Sequence, residues 1–360
     1  MILGPSEPRP VAIDDLLPPE LAKRLAQLDV ASRRVFAGRL PGERRSKRRG
    51  QSVEFDDYRT YVPGDDLRHI DWNVFARMDR FFLKLFREEE DVTVEVVLDL
   101  SPSMDVGVSK PRESARDTGS VTEPGIAAPG GAVPSKRLFA ARLAMSLAYV
   151  GLVANNRVRL TTFGRGFHQT AAARGRRQVA RFAGFLLERL NPDTFQAMPL
   201  ENEPGSGGGG ARNDEDTDPG GVFAQAMNRL ARTRSGSGVV FLLSDMLHPG
   251  GYERGLTYLA GSRGFEPSVI QILSPSEVDP GLVAETVTGD LRLMDIESGA
   301  AAEVSVTPEL VAAYRRAFDA YQSQLRRACR ARSIGHVELM TDTPLELTLL
   351  RRFRQYGLVT

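Results

Sequence analysis

The chain has 360 residues, room for roughly two domains of about 150 residues each or one large domain with attachments. A hydrophobic fraction of 41% and a charged fraction of 26% are those of a globular protein. The net charge of +1 leaves any attraction to nucleic acid or lipid to a local patch. The single cysteine, Cys329, excludes an internal disulfide and a cysteine-built zinc cage, and the scattered histidines lack paired metal-ligand spacing.

The opening, MILGPSEPRPVAIDD, has no charged region followed by an apolar core, so no signal peptide is expected. A helical stretch over 19–37 follows. Residues 33–49 carry eight basic side chains against one acid, Glu43. Such a run attracts phosphates without sequence preference. Only Phe36 is interleaved with it, so a solvated or internally paired face is expected, with Glu88, Glu89, Glu90 and Asp91 as one possible partner. The stretch VEFDDYRTYVPGDDLRHIDWNVFARMDRFFLKLFREEE is neither a clean helix nor a clean strand.

From residue 92 apolar runs alternate with helical stretches. Strands are predicted at 92–100, 157–163, 238–243, 268–273 and 337–340. Helices are predicted at 136–154, with Phe139, Leu143, Leu147 and Val150 on one face, and at 174–190, 221–232, 252–260 and 308–332. A hairpin is predicted at 291–296 and 303–306. Residues 138–154 are long and apolar, but Arg142 there would cost about 2.5–3.5 kcal/mol in a bilayer. A core helix is therefore expected, with no transmembrane segment and a cytoplasmic location. The alternation implies parallel crossovers and an α/β, doubly wound sheet with helices on both faces. Gly, Pro, Ser and acidic residues dominate 107–134 and 201–220, which read as flexible surface insertions.

In such sheets ligands bind outside the carboxyl ends of the strands. One predicted strand ends in Asp99-Leu100-Ser101-Pro102-Ser103 and another in Ser244-Asp245. A carboxylate and two hydroxyls aimed at one point are hard ligands, suited to Mg²⁺, Mn²⁺ or Ca²⁺. The competing reading has Ser101 and Ser103 capping the turn while Asp99 accepts backbone N–H groups. A different chemistry would come from Asp65, His69 and Asp71, with His69 as base and a carboxylate orienting it in a metal-dependent hydrolase. The bland alternative there is an ion-pair network pinning the segment. No P-loop and no G-x-S-x-G is present.

The D-x-S-x-S loop, the Ser-Asp strand end and the βα alternation resemble a von Willebrand factor type A domain. The stretch EFDDYRTYVPGDDLRHIDWNVFAR, then FLKLF, REEED and DLSPSM, resembles more closely one subgroup, the domain-of-unknown-function family fifty-eight. RVRLTTF, VVFLLSDM, LRLMDIESG and HVELMTDTPLELTLLRRF extend the likeness over about 35–355. The resemblance implies a metal-ion-dependent adhesion site at Asp99, Ser101, Ser103 and Asp245, holding Mg²⁺ or Mn²⁺. The family's further threonine falls on Gly221, and the nearby threonine is Thr217. The implied role is a non-enzymatic interaction module that works with a MoxR-type AAA+ ATPase, with no specific nucleic-acid partner. The expected organisation is a polar arm over 1–34, a family-specific segment over 35–91 packed on the main domain, the A-like domain over 92–345, and a tail over 346–360.

Overall fold

The computed structural model describes residues 10–28, 30, 55–63, 65, 67–86, 92–105, 133–191, 221–234, 236–261, 264–279, 290–294, 301–305 and 307–355. The basic run 33–49, Glu88 to Asp91, the insertion 201–220 with Thr217, and all of 107–134 except its last two residues lie outside them. The chain divides into two compact units, one of residues 1–33 and 92–360, the other of residues 34–91.

In the larger unit two short helices come first, α1 (Ile13–Leu16) and α2 (Pro19–Leu25). In the smaller unit strand β1 (Phe55–Thr60), helix α3 (Trp72–Met78) and strand β2 (Phe82–Phe86) follow. β1 and β2 pair antiparallel with an irregularity between Phe55 and Asp57. That irregularity interrupts the alternation of β1.

The larger unit resumes with β3 (Val92–Asp99), α4 (Lys136–Val153), β4 (Arg157–Phe163), β5 (His168–Gln169) and α5 (Val179–Leu190). Next come α6 (Gly221–Thr233), β6 (Ser237–Ser244), α7 (Glu253–Ala260), β7 (Phe265–Leu273) and α8 (Pro275–Val278). A hairpin of β8 (Asp290–Met294) and β9 (Ala301–Ser305) precedes α9 (Pro308–Ala331) and β10 (Gly335–Met340). The central sheet has the order β10-β7-β6-β3-β4-β5 and is parallel except for the β5 edge. This is the expected mixed α/β architecture. Its inner strands β3, β6 and β7 are buried almost end to end because both faces are covered.

Side chains alternate between the faces. Val94, Val96, Leu98, Phe241, Leu243, Ile270 and Ile272 pack with α4 and α5. Val97, Phe163, Val240, Leu242 and Val269 pack with α6, α7 and α9, through residues such as Met227, Leu256 and Leu325. The expected core helix is α4, and its burial goes beyond the face of Phe139, Leu143, Leu147 and Val150. Ala140, Ala141, Ala144, Ala148 and Leu152 are buried as well, so the helix is apolar all round, as an internal helix must be. Its outer side is covered by residues the sequence reading set apart. Leu16, Leu21 and Leu25 of the expected arm, and Leu349 and Phe353 of the expected tail, belong to the same core. The domain therefore does not stop at 92 and 345.

Candidate functional site

Parallel pairing brings the carboxyl ends of β3, β4 and β6 together. Leu98 pairs with Leu243, so Asp99 comes level with Ser244, on the same face of the sheet. Asp99 is fully buried. Its Oδ1 accepts the Ser101 N–H at 2.8 Å, and its Oδ2 accepts the Ser244 hydroxyl at 2.6 Å. The Ser101 and Ser103 hydroxyl oxygens lie 3.0 Å apart. Among the described residues, the ion pair available to Asp99 is with His248, whose Nε2 lies 3.6 Å from Oδ2. Burial pushes the Asp99 carboxyl up, against the opposing pull of His248. Asp99 thus accepts a backbone N–H, and the Ser101 and Ser103 hydroxyls lie against each other.

His248 returns to Asp99 through an unusual turn. Met246 adopts φ 62°, the left-handed region that a long side chain rarely enters. The turn is held from several sides. Met246 N–H donates to Ser244 Oγ at 2.9 Å, Leu247 N–H donates to Asp245 Oδ1 at 3.0 Å, and the Tyr321 hydroxyl donates to the Met246 carbonyl. The His248 ring stacks on Phe223, with centroids 4.4 Å apart and planes 9° from parallel.

Asp245 goes elsewhere. Its Oδ2 lies 2.8 Å from Lys136 Nζ, and both side chains are fully buried. Lys136 also pairs with Glu277. A lysine in the first turn of a helix opposes the helix dipole, and Lys136 opens α4 behind the Ser135 cap. Two carboxylates compensate for that placement. Glu277 is itself fixed, because its Oε2 accepts the Ser274 N–H at 2.9 Å. Burial raises the Asp245 carboxyl, but Lys136 outweighs it and holds the group below the usual carboxylate range. The same two acids hold Lys136 above its ordinary value despite burial.

A cleft of ≈ 220 Å³ opens here, lined by Ser101, Phe163, Gly164, Gly221, Phe223 and His248 among others. Gly164 is required by the loop. With φ 108°, its missing Cβ would lie 2.4 Å from the Ser101 backbone nitrogen. Gly221 stands on the cleft wall at the start of α6, so the position aligned with the family's threonine brings no side-chain oxygen. No three of His, Cys, Asp and Glu cluster as a metal centre among the described residues. A cation site built from the described residues would draw on hydroxyls as well as carboxylates. Asp99, Ser101 and Ser103 fit a hard ion, because among the described residues the buried carboxylate has no lysine or arginine partner and the two hydroxyls of the same loop face each other. Asp245 is already paired with the buried Lys136, so a cation has less to neutralise there than at Asp99.

In the smaller unit Asp71 caps α3, accepting the N–H groups of Asn73 at 2.9 Å and Val74 at 3.3 Å. It also accepts the Tyr58 hydroxyl at 2.9 Å and lies 3.1 Å from Lys84 Nζ. Asp65 pairs with Arg59 at 2.7 Å and accepts the Val62 N–H at 2.9 Å. Both carboxylates hold turns. The side chain of His69 lies outside the described residues.

The sequence reading missed His248, Ser244, Lys136 and Glu277. The one available signal was a histidine three residues past the Ser-Asp strand end.

Two solved structures share low similarity. BatB, a conserved hypothetical protein from Bacteroides thetaiotaomicron, is 13% identical with TM-score 0.36, over 74% of this chain and 98% of its own. An aerotolerance-related membrane protein from Bacteroides fragilis is 13% identical with TM-score 0.33, over 73% and 99%. No helix among the described residues of this chain is long and apolar enough to cross a membrane. Uncharacterized proteins of Mycobacterium tuberculosis and Mycobacterium bovis are 26% identical over 331 residues, covering 92% of this chain and 87% of theirs. The family model described as protein of unknown function DUF58 matches residues 57–122 and 127–327, more than half of the chain, and the chain belongs to that family.

Proposed function

We propose that the chain is a non-enzymatic protein-interaction module with a von Willebrand A-like fold. On this reading it docks a MoxR-type AAA+ ATPase through a cation site at the carboxyl end of its sheet. The observation that carries the reading is the D-x-S-x-S loop itself. Asp99 is fully buried, and the Ser101 and Ser103 hydroxyls lie 3.0 Å apart next to a cleft. A buried carboxylate without a permanent cation costs several kcal/mol, which a divalent ion offsets. Asp99, Ser101 and Ser103 would hold Mg²⁺ or Mn²⁺, which would supply a positive anchor for a partner's carboxylate. Asp245 supports the site from behind through Lys136 and the turn that carries His248.

The test is capture of a purified MoxR-type ATPase from the same source by the immobilised chain. Capture is expected with Mn²⁺ or Mg²⁺, and is expected to fall at least tenfold in excess chelator and with Asp99→Ala. Undiminished capture under both conditions would defeat metal-dependent docking.

A further inference from the structure

We infer that His248 and Ser244 join Asp99 as ligands of the cation, so that the site is a mixed nitrogen–oxygen one selecting a first-row transition ion over Mg²⁺ or Ca²⁺. This rests on the cation reading of Asp99 above and names the ion class for it.

The geometry is that of three donors around one point. Asp99 Oδ2, Ser244 Oγ and His248 Nε2 are separated by 2.6, 3.3 and 3.6 Å. A triangle of these sides has a point about 2 Å from all three corners, and metal–nitrogen and metal–oxygen bonds run about 2.0–2.2 Å. The atoms therefore stand at the spacing of one coordination face, with little movement needed. Ser244 contributes a neutral oxygen whose position is fixed by the Met246 N–H.

The ring cannot easily swing away. His248 is stacked on Phe223 and tilted against Phe163, 6.1 Å away. Its side chain is only 9% exposed, yet it lines the cleft beside Ser101. The left-handed Met246 turn exists at a backbone cost of about 1–3 kcal/mol, and its result is to bring Nε2 back to Asp99.

Two expected ligands leave room for this histidine. Asp245 is bound to Lys136, and the aligned threonine position is Gly221. Imidazole suits Zn²⁺, Co²⁺ and Mn²⁺, whereas Mg²⁺ and Ca²⁺ take oxygen shells.

The experiment uses the full chain stripped of metal and loaded with Mn²⁺. Pulsed electron paramagnetic resonance should detect a ¹⁴N coupling from an imidazole, a readout that needs no variant to fold. His248→Gln, checked for an unchanged circular dichroism spectrum, should lose that coupling. By calorimetry it should bind Mn²⁺ and Co²⁺ at least tenfold more weakly, with Mg²⁺ affinity changed less than twofold. Absence of the ¹⁴N coupling in the wild type, or its persistence in His248→Gln, overturns the nitrogen ligand. An Asp99-dependent ion in that case leaves the cation site itself standing. No binding of Mn²⁺ or Mg²⁺ at millimolar concentration, or binding indifferent to Asp99→Asn, overturns both.

Discussion

Asp99 and Asp245 end neighbouring strands of one sheet, yet their electrostatic settings are opposite. Asp245 faces Lys136, a buried lysine that a second acid, Glu277, helps to hold. Asp99 has hydrogen bonds and, among the described residues, only His248 as a basic neighbour. The parity of the strand decides the difference. Asp99 shares a sheet face with Ser244, while the next residue, Asp245, turns to α4. One carboxylate is thus built into the fold against a lysine of the same chain, and on the proposed reading the other is left for a divalent ion.

The largest expected effect breaks the clamped side. Lys136→Met leaves Asp245 and Glu277 buried without a cation, and removing one partner of such a cluster costs about 3–5 kcal/mol. Chemical denaturation should read that loss. Asp99→Asn in the metal-free chain replaces a buried carboxyl with an amide of the same shape and should change stability by less than about 1 kcal/mol. Equal losses in the two variants would erase the distinction between the two acids.

His336 sharpens the comparison at the neighbouring edge of the sheet. Burial, with Arg326 adding to it, lowers its pKa from 6.5 to about 4. Its Nε2 is 3.2 Å from Gln271 Oε1, and Gln271 Nε2 donates to the Asp245 carbonyl at 3.1 Å. The unfolded chain takes up this proton first, so the stability it contributes is complete above pH 6.5 and is lost as pH falls through about 4. The loss should be about 3 kcal/mol, since one pKa unit corresponds to about 1.4 kcal/mol. Denaturant titrations at pH 7 and pH 4 should differ by that much more in the wild type than in His336→Gln. Equal differences would mean that this ring does not titrate as described.

The smallest effect is expected just past the D-x-S-x-S loop. Asp105 lies 2.7 Å from Arg137 and 2.8 Å from Arg165, with all three side chains partly exposed. Solvent screens such pairs, so Asp105→Asn should cost less than about 1 kcal/mol. A larger loss would place the loop's rigidity in these arginines rather than in Gly164 and the Asp99 hydrogen bonds.

The sheet was readable because its strands are dominated by β-branched and apolar residues, as in VVFLL. The Asp99 loop was readable because its acid and hydroxyls are adjacent in sequence. Lys136 was not, because its partner Asp245 lies 109 residues away and nothing local marks a lysine as buried. His248 was hidden by the turn at Met246, since a left-handed methionine leaves no mark in a periodicity. The core role of Leu16, Leu21, Leu25 and Phe353 was missed for a related reason. Those residues lie in short helices set far from α4 in the chain, and nothing local marks them as its cover.

Titration of the metal-free chain with Mn²⁺ by calorimetry, in the wild type, Asp99→Asn and Asp245→Asn, tests the central claim most directly. Asp245→Asn keeps Glu277 as the partner of Lys136, so the fold retains a buried pair. The account predicts at least a tenfold loss of affinity in Asp99→Asn and less than threefold in Asp245→Asn. An Asp245→Asn loss as large as that of Asp99→Asn would contradict it, because Asp245 would then be a ligand rather than the partner of Lys136.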